Sequence, residues 1–136
     1  MSQNLDAIVL KKACSLLGSE LRWTSGAWAR DARDHRCSPL SRDAVRWCAV
    51  GALQKCAHDL LGDERSAREL ADCIARRLVP GPGGLVFVNE RGGYAVVSKV
   101  MRMGSPPRGA EPSWPFVDFH TRQGFGVFAR GRGALV

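Results

Sequence analysis

The sequence has no long apolar run and no recognisable export signal. No stretch approaches the roughly 20 apolar residues that a membrane-spanning helix needs. The polar start, Met1 to Asp6, lacks the basic and apolar regions of a secretory signal. We therefore predict a cytoplasmic protein that has no membrane partner.

Motifs of common enzyme and nucleotide-binding families are also missing. There is no phosphate loop, dinucleotide fingerprint, Ser-x-x-Lys or His-Glu-x-x-His motif. The nearest zinc-like pairs, His35-x-Cys37 and Cys56-x-His58, lack the tight spacing that zinc prefers. We therefore expect no metal and no cofactor.

Lysine is scarce in a chain that is otherwise basic. The net charge is +7, and because only four of the 20 basic residues are lysines, 16 are arginines. Arginine suits bidentate contacts with phosphate or carboxylate, but the charge is spread along the chain without forming a basic arm. This pattern favours a protein or nucleoprotein partner and leaves nucleic acid open as an alternative.

The five cysteines do not form a disulfide pattern. Their number is odd, and four of them lie within helical patterns, whereas secreted disulfide scaffolds place cysteines in loops and in pairs. We interpret most of them as reduced, buried thiols.

Apolar periodicity predicts three helices. The first covers residues 5–17, the second runs from Ser38 or Ser41 to Leu61, and the third covers residues 64–79, with Asp63 as its N-cap. The second helix has the broadest apolar stripe, from Val45 to Leu60, and is predicted to be the centre of a small bundle. Trp47 and Cys48 would lie inside this helix, and Gly51 indicates that a neighbouring element crosses closely there.

The remaining segments show weaker patterns. Residues 19–40 are predicted to form a structured loop, with Trp23 and Trp28 anchoring it to the core. Residues 85–88 are short, apolar and β-branched, which favours an extended segment. Residues 94–103 fit a helix or one strand of a hairpin equally well.

Together these patterns predict a mainly α fold, a small bundle of four to five helices with one short extended segment and a Gly/Pro-rich C-terminal tail. The predicted helical domain covers residues 1–104, and residues 105–136 form a partly ordered extension. Five tail residues are predicted to contact a partner through aromatic rings and cations: Trp114, Phe116, Phe125, Arg130 and Arg132.

Three stretches of the sequence carry a resemblance to a known family. They are Trp23-x-x-Gly26-x-x-Ala29-Arg30-Asp31, the run Ala44-Val45-Arg46-Trp47-Cys48-Ala49-Val50-Gly51-Ala52-Leu53, and Val88-Asn89-Glu90. Over residues 5–103 the chain resembles small uncharacterised bacterial and phage proteins that share a domain of unknown function. That family has a Trp-Cys-x-x-Gly-Ala-Leu helix and a later Trp-Asn-Asp loop. In this chain Val88 replaces the tryptophan of that loop, and Glu90 replaces its aspartate. The resemblance implies a helix at residues 94–103 and implies no activity.

Five polar residues stand at positions of that family's pattern: Arg30, Asp31, Arg46, Asn89 and Glu90. They are predicted to converge on a ligand or to form a buried network. In the second case an arginine would pair with a carboxylate, and Asn89 would cap the following helix.

The leading functional hypothesis is a non-enzymatic binding protein that engages a macromolecular partner through its arginines and aromatic tail. An accessory or inhibitor protein of a phage or mobile element would fit. One alternative is a nucleic-acid-binding regulator. Another is a small enzyme that uses Cys37, in a loop close to His35 and a helix start, or the group of Arg30, Asp31, Asn89 and Glu90.

Overall fold

Four helices and a small three-stranded sheet make up the computed structural model, which describes residues 2–104. In chain order the elements are α1 (Ser2–Leu16), a short 3-10 helix (Glu20–Arg22), β1 (Ala29–Asp31), β2 (Arg36–Cys37), β3 (Ala44–Trp47), α2 (Ala49–Leu61), α3 (Glu64–Leu78) and α4 (Gly84–Met103). The predicted mainly α fold is confirmed. Among these residues no helix is both long and apolar enough to cross a bilayer.

The core lies where α2 packs against α1, α3 and α4. The side chains at its centre are almost completely buried: Val9, Leu53, Ile74, Leu78, Val88, Val97, Val100 and Met101. Gly62 ends α2 with a left-handed backbone, and the Asp63 carboxylate caps α3 by accepting a hydrogen bond from the Ser66 amide at 2.8 Å. Both boundaries were predicted from the sequence.

The predicted start of the central helix is wrong. Residues 44–47 form β3, and α2 begins at Ala49, with Cys48 as its N-cap in an extended conformation. Pairing with β1 prevails over the apolar periodicity, which runs through both elements. The buried apolar stripe is also shorter than predicted, because Val45 and Leu60, the residues at its two ends, are exposed.

The apolar run at residues 85–88 is helical, which corrects the predicted extended segment. It forms the first half of α4, where Leu85, Phe87 and Val88 are buried. Burial in the core outweighs the β preference of such a short run, whose periodicity cannot distinguish a strand from a helix. Gly93 kinks α4 at a positive φ of 80°, and residues 94–103 continue as helix instead of forming a hairpin strand.

The segment predicted to be a loop contains two short strands. β1 lies at the centre of the sheet and pairs antiparallel with both β2 and β3. The register sets Ala29 opposite Cys37 and Trp47, and Arg30 opposite Arg36 and Arg46. The sheet therefore has one apolar row and one arginine row.

Candidate arginine-rich binding face

Three arginines lie side by side across the sheet. Arg30 is the direct cross-strand partner of Arg36 on one side and of Arg46 on the other. Side chains alternate between the two faces of a strand, and the neighbouring row of Ala29 and Trp47 is buried, so the arginines share the outer face. Because adjacent strands lie about 4.8 Å apart, the row spans roughly 10 Å.

The carboxylate of Asp34 lies next to two of these arginines. Its Oδ1 atom is 2.8 Å from an Arg46 terminal nitrogen and 3.9 Å from Nε of Arg30. Asp34 has a left-handed φ of 69° in the turn between β1 and β2. Like charges directly opposite each other destabilise a sheet, and one exposed carboxylate offsets only part of the repulsion among three guanidinium groups.

The three arginines differ in how firmly they are held. Arg30 donates to the Thr24 hydroxyl at 2.9 Å and to the Ser25 carbonyl at 3.1 Å, so its guanidinium is fixed against the preceding loop. Nε of Arg46 is buried and has no hydrogen-bond partner among the described residues. Arg36 is exposed, and no described side chain forms an ion pair with it. Arg36 is therefore the member of the row most available to a partner.

Asp31 has a local role in the turn. Its Oδ1 atom accepts hydrogen bonds from the amides of Arg33 and His35, each at 2.9 Å. These bonds lower the pKa of the Asp31 carboxyl, with the His35 amide as the main cause. The Asp31 carboxylate thus stabilises the turn between β1 and β2, which contains Asp34.

Asn89 occupies a separate, buried position on α4. Its Oδ1 atom accepts from the Trp23 indole at 2.8 Å and from the Ala49 amide at 2.9 Å. Its Nδ2 group donates to the Thr24 carbonyl and to Glu90, each at 3.1 Å. All four hydrogen-bonding positions of this side chain are used. Asn89 therefore caps α2, and not the helix that follows it as we predicted.

Glu90 ties α4 to the same loop from the outer side. Both carboxylate oxygens lie 2.9 Å from the Gly26 amide. The five predicted residues thus fall into two groups. Arg30, Asp31 and Arg46 belong to the sheet. Asn89 and Glu90 belong to a hydrogen-bonded cluster at the start of α2, which we call the node. The loop at 24–26 joins the groups, because Arg30 and Asn89 both bind Thr24.

Trp28 precedes Arg30 by two residues and is 49% exposed, which corrects the prediction that it anchors the loop to the core. Its backbone is firmly placed, since its carbonyl accepts from the Cys48 amide at 3.1 Å. Trp28 directly precedes β1, and strand alternation extended by one residue from Arg30 would put it on the same side of the chain. We call Trp28, Arg30, Arg36 and Arg46 the arginine face.

The close approach predicted at Gly51 is the feature that fixes this loop against α2. A Cβ atom on Gly51 would lie 2.1 Å from the Trp28 carbonyl oxygen. Only glycine allows the loop that carries Trp28 to pack this closely against the first turn of the helix.

The surroundings of Cys48 and Cys37 raise the pKa of both thiols. Burial raises the pKa of the Cys48 thiol to about 11 and outweighs the lowering effect of the amides at the start of α2, chiefly that of Gly51. Burial also raises the pKa of Cys37, with smaller contributions from Asp31 and Asp43. A nucleophilic cysteine needs a lowered pKa, whereas the surroundings of Cys37 raise its pKa. The described residues also contain no group of three potential metal ligands.

The sequence indicated Arg30 and Arg46 but missed Arg36 and Trp28 as members of the face. Arg36 depends on the cross-strand register, which no local pattern reveals, and Trp28 was predicted to lie in the core. The tail residues Trp114, Phe116, Phe125, Arg130 and Arg132 lie outside the described residues.

Comparison with known proteins identifies a family but no activity. No curated protein and no solved structure matches the chain. A family model does match, over residues 1–103, and it covers the sheet, the node and all four helices. The chain therefore belongs to DUF6197, a family of unknown function.

Proposed function

We propose that this chain is a non-enzymatic binding protein and that the arginine face engages an acidic protein surface. The observation that carries the proposal is the cross-strand row of Arg36, Arg30 and Arg46, in which one exposed carboxylate lies beside Arg30 and Arg46 and none pairs with Arg36 among the described residues. A row of like charges is costly to the isolated fold. Carboxylates on a partner would offset that cost and would complete the hydrogen bonding of Arg36.

A protein partner fits the composition of the face better than nucleic acid does. Arginine and tryptophan are among the residues most enriched at the energetic centres of protein interfaces, and Trp28, two residues before Arg30, is half-exposed. Asp31, Asp34 and Asp43 lie in or next to the same strands, so the basic surface is short and interrupted, whereas nucleic acid is bound by extended basic patches or stripes. The partner should present carboxylates around an apolar residue.

The resemblance drawn from the sequence suggests the biological setting. We propose an accessory or inhibitor protein of a phage or mobile element, which would act by occupying a surface of its target. This role requires neither nucleic-acid binding nor an enzymatic activity.

The test is affinity capture from the native host with the full-length chain and two charge-reversal variants. Arg36→Glu changes the free member of the face, whereas the control, Arg65→Glu, changes an exposed arginine on α3 that pairs with Glu69 at 3.6 Å. The captured partner should bind Arg36→Glu about thirtyfold more weakly, since an arginine that dominates binding at an interface contributes about 2 kcal/mol or more. The control should retain its affinity.

Two results would count against the proposal. Recovery of the free chain alone would mean that no stable partner exists. Binding to mixed-sequence DNA or RNA that weakens steeply as salt rises from 50 mM, through release of counterions, would support the regulator alternative instead.

A further inference from the structure

A second charged feature lies away from the arginine face, between α1 and α2. It is a groove of about 700 Å³, and we call it the lysine groove. Its lining consists of apolar Ile8, Leu16 and Cys56 together with polar Lys11, Lys12, Ser15, Arg22, Lys55 and Asp59. Four cations and one carboxylate line this groove, so it favours an anionic occupant that also carries apolar groups.

The location of the lysines makes the groove unusual in this chain. The whole sequence contains only four lysines, and three of them, Lys11, Lys12 and Lys55, line this one groove. The remaining one, Lys99, lies on α4. Arg22 is held at the rim by hydrogen bonds to the carbonyls of Leu16 and Ser15, and Lys55 pairs with Asp59 at 3.2 Å.

One segment of the same chain has the matching chemistry. Residues 111–119 carry Glu111 and Asp118, no basic residue, and three aromatic rings: Trp114, Phe116 and Phe119. Elsewhere beyond Gly104 the charged side chains are all basic. Glu111 and Asp118 flank Trp114 and Phe116, and the lysines of the groove lie next to its apolar residues.

The chain is long enough to connect the two. α4 ends at Met103, and its last turn lies against α1, where Met101 and Arg102 share a small cavity with Cys14 and Leu17. Cys14 neighbours Lys11 on the surface of α1, since residues three apart on a helix have Cβ atoms about 5–6 Å apart. Residues 105–110 can span about 20 Å, and an α-helix with its side chains is about 10–12 Å across, so the connection is long enough to pass around one helix.

We propose that residues 111–119 dock in the lysine groove of their own chain. The acidic side chains pair with Lys11, Lys12 or Lys55, and the rings of Trp114 and Phe116 cover the apolar floor. This contact is independent of the proposed function, because the groove shares no residue with the arginine face.

The test is zero-length carbodiimide cross-linking of the full-length chain, read by mass spectrometry. The reagent joins a carboxylate to a lysine amine only when the two are in contact. Mixing isotopically light and heavy chains separates links within one chain from links between two. Lys55 linked to Asp59 gives an internal reference, because that pair is already in contact.

Docking predicts that Glu111 and Asp118 link to Lys11, Lys12 or Lys55 of the same chain more than to Lys99, although Lys99 is nearer along the sequence. The double variant Trp114→Ala/Phe116→Ala keeps both acids and should lower these links about tenfold, since it removes most of the apolar burial. Phe125→Ala/Phe128→Ala is the matched control and should leave them unchanged.

Three outcomes would overturn the proposal. They are a preference for Lys99, links found only between light and heavy chains, and an unchanged yield in Trp114→Ala/Phe116→Ala. The second would show that the groove receives the segment from another copy of the chain.

Discussion

The side-chain oxygen of Asn89 caps the helix that begins at Ala49, 40 residues earlier in the chain, through a hydrogen bond of 2.9 Å. The same oxygen accepts from the Trp23 indole. One buried amide thereby fixes the start of α2, the loop before β1 and the first half of α4 relative to one another. The arginine face depends on this arrangement, because Arg30 is held by that loop.

Asn89→Ala should lower the free energy of unfolding by at least about 3 kcal/mol. The substitution leaves the Trp23 indole N–H, the Ala49 amide and the Thr24 carbonyl without this hydrogen-bond partner. Each unsatisfied buried group lowers stability by about 1–3 kcal/mol. Urea denaturation followed by circular dichroism measures the loss. The control Ser98→Ala, on the same helix, should have little effect, and a loss below about 1 kcal/mol for Asn89→Ala would show that water replaces the side chain.

Gly51→Ala should also destabilise the protein, against the usual preference for alanine in helices. The gain in helix propensity is about 1 kcal/mol, but the new Cβ would lie 2.1 Å from the Trp28 carbonyl oxygen. The loop must move to relieve that contact, which breaks its hydrogen bond to the Cys48 amide. Thermal unfolding should show a lower Tm; an unchanged or higher Tm would contradict the close packing of loop and helix.

The helices were largely predictable from the sequence. The Asp63 cap, the Gly62 stop and the periodic apolar residues are local signals, and α1 and α3 follow them closely. α2 was predicted to begin too early because Val45 and Ala49 lie at helical spacing although one belongs to a strand. The run at 85–88 was misassigned because four apolar residues carry too little periodicity.

The candidate site was only partly predictable. Family resemblance pointed to Arg30 and Arg46, but Arg36 became relevant only when the register placed it opposite Arg30. Strand pairing joins residues through contacts that no short window of sequence contains. Asn89 was predicted to act as a helix cap, but the helix that it caps lies earlier in the chain, and only the tertiary fold shows this.

Asp34→Asn should test the electrostatics of the arginine row. Asparagine tolerates the left-handed backbone of Asp34, so the substitution removes the charge without adding strain. Stability should fall by about 1 kcal/mol or less at low salt, because the pair is exposed, and the effect should shrink at high salt as repulsion among the arginines is screened. A salt-independent loss would indicate a backbone effect instead.

The thiols should react in an order set by burial. Iodoacetamide at pH 7.5 should label Cys73 first, since it is exposed, and Cys48 and Cys56 last, since both are buried and burial raises the pKa of each to about 11. Tryptic mapping over time gives the order. Rapid, selective labelling of Cys37 near neutral pH would revive the cysteine-enzyme hypothesis.

The same thiols predict a loss of stability in alkali. A thiol pKa that is higher in the folded chain than its ordinary 9.0 favours folding fully below pH 9, and this contribution is lost as pH rises towards about 11. Cys48→Ala should make the decline between pH 9 and 11 less steep. An identical slope in wild type and variant would show that other groups control the alkaline transition.

The register of the sheet has a consequence for comparing members of the family. Strand faces alternate with every residue, so deleting one residue between β1 and β2 would bring Cys37 opposite Arg30 and turn the β2 arginine inward. A relative with a shorter connection there would lose the triple row even if every arginine were retained. Turn length, more than arginine content, thus identifies which relatives share this surface.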